Sequence, residues 1–242
     1  MKRLSIIVLL ELAFVCGAGA QGNTYTTNFP VTEDPISESG RWISAHAIGL
    51  DWADVRTTPG LAHGTNSYSA LTGYNDSTAV LTGTWGPNQT VQATVHTTNQ
   101  QTGSIYEEVE IRLRTTITAH SLTGYEINFR CNHDGSQYIG IVRWNGPLSD
   151  FTQLGSNVAG PGLVEGSVVK GTIVGSTITA YVDGVAITSQ TDSTYTAGSP
   201  GMGFWLQGLP VSNNSDFGFT SFSASDGSAR PLAPTNLRIG VN

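Results

Sequence analysis

Cysteine is almost missing from this chain of 242 residues: Cys16 and Cys131 are the only two. Cys16 falls in a segment expected to be removed, so no internal disulfide is available and a packed core must supply the stability. Charge is also scarce, 12% of residues, and its balance is acidic, −7 in formal terms. That leaves no electrostatic footprint for nucleic acid or an anionic membrane. No stretch shows an apolar period of 3.6, which argues against a helical protein. The longest apolar run, Ser5 to Val15, is interrupted by Glu11 and is too short to cross a bilayer. The five histidines show neither HxH nor HExxH spacing, which argues against zinc. No G-x-S-x-G anchor is present for Ser-His-Asp chemistry.

What is abundant is turn chemistry, with 29 glycines and many Ser and Thr residues. The clearest stretch is Val168 to Gln190, VVKGTIVGSTITAYVDGVAITSQ. Gly175-Ser176 and Asp183-Gly184 read as two-residue hairpin turns, because glycine supplies the positive φ such turns need. The first turn sets Val174 against Thr177, Ile173 against Ile178 and Gly171 against Ala180. The second sets Val182 against Val185 and Ala180 against Ile187. Both registers place Val169, Gly171, Ile173, Ile178, Ala180, Val182, Val185 and Ile187 on one apolar face. Lys170, Thr172, Thr177, Thr179 and Tyr181 then share the other face. A slip of one residue would invert every side chain, so the agreement of two turns is informative.

Other strands alternate in the same way. Tyr106 to Thr118 points Val109, Ile111 and Leu113 one way and Glu108, Glu110, Arg112 and Arg114 the other. Tyr125 to Cys131 sets Tyr125, Ile127, Phe129 and Cys131 against Glu126, Asn128 and Arg130. Strands are also expected at 79–84, 91–96, 138–144, 151–154, 201–207 and 217–223, and residues 43–70 show no period. Strands following strands by tight turns imply antiparallel pairing, and about a dozen of them suit two stacked sheets. The expected class is an all-β, two-sheet antiparallel sandwich.

The chain divides as follows. Residues 1–20 read as a secretory signal, with Lys2 and Arg3 before the apolar run and Ala18-Gly19-Ala20 as a cleavage pattern. Its removal takes away Lys2, Arg3 and Glu11 and leaves 9 basic minus 17 acidic residues, or −8. Secretion, extracellular or periplasmic, is the expected destination. Residues 21–28 read as a polar leader, 29–226 as the sandwich and 227–242 as a Pro-containing tail or linker.

Three motifs resemble one superfamily. Phe29 with Asp34-Pro35-Ile36-Ser37-Glu38-Ser39-Gly40-Arg41-Trp42 resembles the opening of secreted concanavalin A-like lectin/glucanase domains. Thr179-Ala180-Tyr181-Val182-Asp183-Gly184-Val185 resembles the YVDG hairpin of laminin-G-like domains. Thr194 to Trp205 followed by Phe217 to Phe222 resembles the last two strands of the same superfamily. The resemblance spans residues 29 to 226. It implies a jelly-roll sandwich whose concave sheet carries a sugar on its exposed face, with first and last strands side by side. It also implies a candidate structural calcium, for which Glu33, Asp34 and Asp226 offer the hard oxygen ligands. No other cofactor is required.

Function remains a weighing of three classes. Sugar sites combine aromatic faces with planar polar groups, so Arg112, Glu126, Asn128, Arg130, Tyr181 and Trp144 are the ligand-binding candidates for a lectin-like module. A polysaccharide or other glycan is then the expected partner. A glycoside hydrolase or polysaccharide lyase on the same face would use Glu108 and Glu110, about 7 Å apart by strand rise. Against it, Arg112 stands where the superfamily's glucanases carry the last acid of E-x-D-x-E. Glu–Arg pairing on a solvated sheet face would explain the row without chemistry. A structural or adhesion protein, with no glycan affinity, is the third class. Trp42, Trp85 and Cys131 are expected in the core.

Overall fold

The computed structural model describes residues 22–66, 74–103, 105–207 and 213–227. The strands among them are β1 (Thr24–Thr27), β2 (Trp42–Ser44), β3 (Val55–Thr58), β4 (Leu61–Gly64), β5 (Ser77–Leu81), β6 (Gln89–Thr97), β7 (Tyr106–Thr118), β8 (Ser121–Arg130), β9 (Ile139–Gly146), β10 (Phe151–Gln153), β11 (Val168–Val174), β12 (Thr177–Val182), β13 (Val185–Thr191), β14 (Ser199–Gln207) and β15 (Phe217–Asp226). Short 3₁₀ turns occupy Ala45–Ile48 and Asn214–Asp216. The first sheet runs β13-β12-β11-β6-β15-β4-β3, with β1 added to β15; the second runs β10-β9-β8-β7-β14-β5-β2. All pairs are antiparallel, and the architecture is the expected jelly-roll sandwich.

Alternation explains the core. Val109, Ile111 and Leu113 of β7 and Tyr125, Ile127 and Phe129 of β8 are fully buried against Val169, Ile173, Ile178 and Ala180 of the opposite sheet. Gly171 of β11 faces β7 and β8 across the core. A Cβ there would sit 2.7 Å from Ile127 Cδ1 and 2.9 Å from Ile111 Cγ2, so a larger residue requires the Ile127 and Ile111 side chains to shift.

The hairpin at Gly175 has the expected register, with Ile173 against Ile178 and Gly171 against Ala180. The hairpin at Asp183 differs. Val182 faces Val185, but Ala180 faces Thr188 instead of Ile187, because β13 carries one extra residue in a bulge beside Ala180 and Tyr181. Val185, beside the turn on the edge strand, is 63% exposed instead of facing the core.

Two segments depart from the sequence-based expectation. The proposed leader at 21–28 contains β1, which pairs with β15 from Thr24↔Ser225 to Thr27↔Phe222. Tyr25 packs edge-on to Trp42, so this polar stretch is tied into the sheet by backbone pairing and one ring. The first strand therefore lies at 24–27, beside the last, and 28–41 is an irregular connection. The unreadable stretch 43–70 supplies β3 and β4, each four residues, too short to display a period. The signal segment 1–20 and residues 228–242 of the tail lie outside the described residues.

Residues 45–52 do something alternation could not indicate. They cross the outer face of the second sheet and form a second, smaller core: Ala45, Leu50 and Trp52 pack on Leu122, Val142 and Trp144. Those three sheet residues point away from the main core, and the strap removes them from water.

Candidate functional site

The outer face of the second sheet is where the scarce charge collects. Register aligns Glu108 with Arg130, Glu110 with Asn128 and Arg112 with Glu126 across β7 and β8. On the other side of β7, Glu108 faces Trp205 and Glu110 faces Gly203 of β14. Asp76, immediately before β5, joins the group. The row is not solvated: Glu110 and Arg112 are 0% exposed, Glu108 and Glu126 1%, Asp76 3% and Arg130 5%. The pairing on an open face considered above is therefore replaced by a buried network, flanked by Tyr74, Trp144, Phe151 and Trp205, with the strap packed against Trp144.

Arg112 is its centre. Its guanidinium lies 2.5 Å from Glu126, 2.8 Å from Glu110 and 3.5 Å from Asp76. Burial works against the cation, but the Glu126, Glu110 and Asp76 charges outweigh it and raise the Arg112 pKa. One guanidinium cannot neutralise so many acids. Burial, then the neighbouring carboxylates, push Asp76 and Glu110 well above the usual carboxylate range. Burial likewise raises Glu108 from 4.5 to about 7, against the hydrogen bond from Tyr138, with the Glu126 charge adding to the rise. Gly203 makes the packing feasible, since a Cβ there would lie 2.1 Å from Glu110 Oε2.

These acids line a pocket of about 90 Å³. Its polar lining is Asp76, Glu108, Glu110, Glu126, Asn128 and Tyr138, with Gln153 and Asn157 at the rim. The Tyr138 hydroxyl donates to Glu108 Oε1, and Asn128 Nδ2 donates to Glu126 Oε1 at 2.6 Å and to Glu108 Oε2 at 3.3 Å. Around it runs an arc of rings, each touching the next. Tyr106 meets Trp205 at 5.6 Å, Trp205 stacks on Tyr74 at 5.8 Å, and Tyr74 meets Phe151 at 5.0 Å. Phe151 meets Trp144 at 5.4 Å, and Trp144 meets Trp52 of the strap at 5.2 Å.

The sequence-derived candidates fall into two groups. Glu108, Glu110, Glu126, Asn128 and Trp144 line the pocket. Trp144 is 2% exposed, and its Nε1 donates to Glu126 Oε2 at 2.8 Å, so it also holds an acid in place. Arg112 lies behind this lining, occupied by its three acids. Arg130 is spent on structure: Nε donates to Asn132 Oδ1, Nη1 to the Ser136 carbonyl, and Nη2 to the Gly103 and Ile105 carbonyls. Its guanidinium also stacks on Tyr106 at 3.9 Å. Tyr181 lies on β12 in the first sheet, across the sandwich from the pocket, where Lys170 sits 4.0 Å over its ring. Asp76, Tyr74, Phe151, Gln153 and Asn157 were not among the candidates. They come from loops and short strands far along the chain, where no local pattern marks them.

The expected calcium ligands do not assemble. Glu33 Oε2 accepts the Ser37 and Glu38 N–H groups, Asp34 pairs with Arg56 at 2.7 Å, and Asp226 accepts from the Asn23 and Gly86 N–H groups. Each carboxylate caps its own loop. Among the described residues the acid trio whose oxygens come within 4.8 Å of one another is Asp76, Glu110 and Glu126. There Arg112 supplies the positive charge a metal would bring, so the donor set of the three acids does not fit a metal ion.

No protein-family model matches the sequence, and no curated relative matches it. Solved structures do match. The carbohydrate-binding module CBM66 from Bacillus subtilis superposes with a TM-score of 0.50 at 14% identity, over 80% of this chain and 96% of that one. The Emp46p carbohydrate recognition domain, in its potassium-bound form, gives 0.52 at 12% identity, over 84% and 96%. The GlcNAcα1-4Gal releasing endo-β-galactosidase from Clostridium perfringens gives 0.53 at 10% identity, over 86% of this chain and 63% of that one. At such identities the shared feature is the path of the backbone alone: this chain and those structures share the two-sheet jelly-roll sandwich.

Proposed function

We propose that this chain is an exported carbohydrate-binding protein that seats a sugar in the pocket on the outer face of its second sheet. The observation that carries the reading is the pocket's composition. Tyr74 and Trp205 offer aromatic faces beside Glu108, Asn128, Gln153 and Asn157, whose planar polar groups can read hydroxyls. Sugars present C–H faces and hydroxyl edges together, so a site that pairs ring faces with amides and carboxylates suits them. The fold adds support, since three of the matching structures are named for carbohydrate binding or cleavage. The export part rests on the signal pattern of residues 1–20.

The test is retention of the purified chain by a panel of immobilised polysaccharides. Binding lost in Trp205→Ala and kept in Tyr181→Ala supports the reading. Equal binding by both variants, or no binding to any polysaccharide, refutes it.

One observation favours a second reading, cleavage of the bound glycan. Glu108 lines the pocket with its carboxyl raised to about 7, the range in which a carboxylic acid can donate a proton near neutrality. Sugar release by the wild type, absent in Glu108→Gln with binding retained, would establish it. No release from the same panel would leave a binding protein.

A further inference from the structure

The charge distribution of the pocket says something about its occupant beyond the carbohydrate reading, on which the following rests. The described residues lining it include four carboxylates, from Asp76, Glu108, Glu110 and Glu126, and no lysine, arginine or histidine. The one cation in contact, Arg112, is committed to Glu126, Glu110 and Asp76. Arg130 directs its donors to Asn132 and to backbone carbonyls. Glu108 has only the neutral donors Tyr138 and Asn128. Glu110, itself fully buried and part of the lining, keeps an Oε1 that accepts no hydrogen bond. The ring faces around these acids carry negative quadrupole charge and attract cations as well. With Asp76 and Glu110 holding protons and Glu126 paired to Arg112, the lining still offers an anionic sugar no free cation, and a neutral sugar brings none to draw Glu108 into its charged form.

We infer that the occupant carries a protonated amine: the glycan is built on an amino sugar whose nitrogen is unacetylated. The ammonium lies against Glu108 and toward the vacant acceptor of Glu110, and the sugar's C–H face rests on Trp205 and Tyr74. Metal ions are not the fitting cation, because the guanidinium already fills the place among Asp76, Glu110 and Glu126. Binding also moves protons. Glu108 shares its surroundings with Asp76, Glu110, Glu126, Arg112, Tyr138 and Arg130; an added ammonium stabilises its charged form and the carboxylate stabilises the ammonium, so Glu108 gives up a proton while the unprotonated fraction of the amine takes one up.

The experiment compares three oligosaccharides on the full chain by calorimetry at low salt: β-linked glucosamine, the same oligomer N-acetylated, and an oligomer of galacturonic acid. The expected result is glucosamine binding about tenfold tighter than its acetylated form, roughly 1.4 kcal/mol, and no binding of the galacturonate. Glu108→Gln brings the ratio toward one. Should that variant fold poorly, Gln153→Lys, which adds a cation at the exposed rim, weakens glucosamine more than the acetylated oligomer. Buffers of different ionisation heat report the net exchange of protons between Glu108, the amine and the solvent. Equal or tighter binding of the acetylated oligomer overturns the amine while leaving the carbohydrate reading intact. An undiminished glucosamine preference in both variants traces it to the acidic surface at large and also overturns it. Failure of every oligosaccharide, together with failure of the immobilised polysaccharide panel, sinks both readings.

Discussion

Replacing Glu108 with glutamine offers a direct reading of the buried acid network. In the folded chain its carboxyl is raised from 4.5 to about 7, first by burial. The folded protein therefore holds this proton more tightly than the unfolded chain does. Stability linked to Glu108 is fully present below 4.5 and is lost as pH climbs through about 7. At about 1.4 kcal/mol per pH unit, the interval between 4.5 and about 7 amounts to about 3 kcal/mol. Glutamine is nearly the same shape, and its Oε1 still accepts the Tyr138 hydroxyl. The exchange of a carboxyl for an amide costs about 1 kcal/mol in hydrogen bonding. The variant should then be slightly less stable than wild type under acid conditions, and more stable by about 2 kcal/mol at alkaline pH, where wild type bears the buried charge. Asp76 and Glu110 are themselves raised by the Glu108 charge, so its removal lowers them as well and adds to the variant's gain at alkaline pH. Urea denaturation of both proteins across the interval measures it, with the two stability curves crossing between 4.5 and about 7. A stability difference that stays flat with pH, or a wild type that gains on the variant as pH rises, refutes the claim that a dry environment holds Glu108 protonated.

Other substitutions test other parts of the structure. Trp205→Ala removes the ring joining Tyr74 to Tyr106 and should cost about 2 kcal/mol of glycan affinity, roughly thirtyfold, with little change in denaturation midpoint. Arg114→Ala strips donors from the Pro87, Tyr195 and Gly175 carbonyls, which lie on three separate connections, and should destabilise by about 4 kcal/mol in urea. Arg114→Lys should rescue little of it, since an ammonium cannot reproduce the planar fork. Gly203→Ala drives a methyl into Glu110 Oε2 at 2.1 Å and should cost about 1–3 kcal/mol, with the Glu108 titration disturbed when followed by carbon-13 NMR. Asp226→Ala frees the Asn23 and Gly86 N–H groups, so hydrogen exchange should accelerate at 24–27 while β7 and β8 keep their protection.

Local pattern made much of the sandwich legible. Alternation at 106–118 and 125–131 separated core residues from the Glu/Arg row, and the same side chains are buried between the sheets. Glycine at 175 set a register that the structure reproduces. The bulge beside Tyr181 escaped because an inserted residue leaves no local signature when its neighbours, Ala186 and Ile187, are both apolar. β1 escaped because Thr-Tyr-Thr-Thr is held by pairing to a strand some two hundred positions away, not by an apolar face of its own.

By itself, then, the sequence determined which side of each long strand is apolar, where hairpins turn, and that charge is concentrated on two adjacent strands; all of this follows from a two-residue period and the steric freedom of glycine. The tertiary structure alone decided which strands share a sheet. That separated Tyr181 from the Glu/Arg row and brought Asp76, Tyr74 and Phe151 to it. It also decided that residues 45–52 would pack on Leu122, Val142 and Trp144 beside the row, and that the expected solvated face would be a buried acid network. The physical reason is that a strand's pattern specifies the direction of its side chains, whereas the dielectric around them is set by whatever distant segment the fold lays on top.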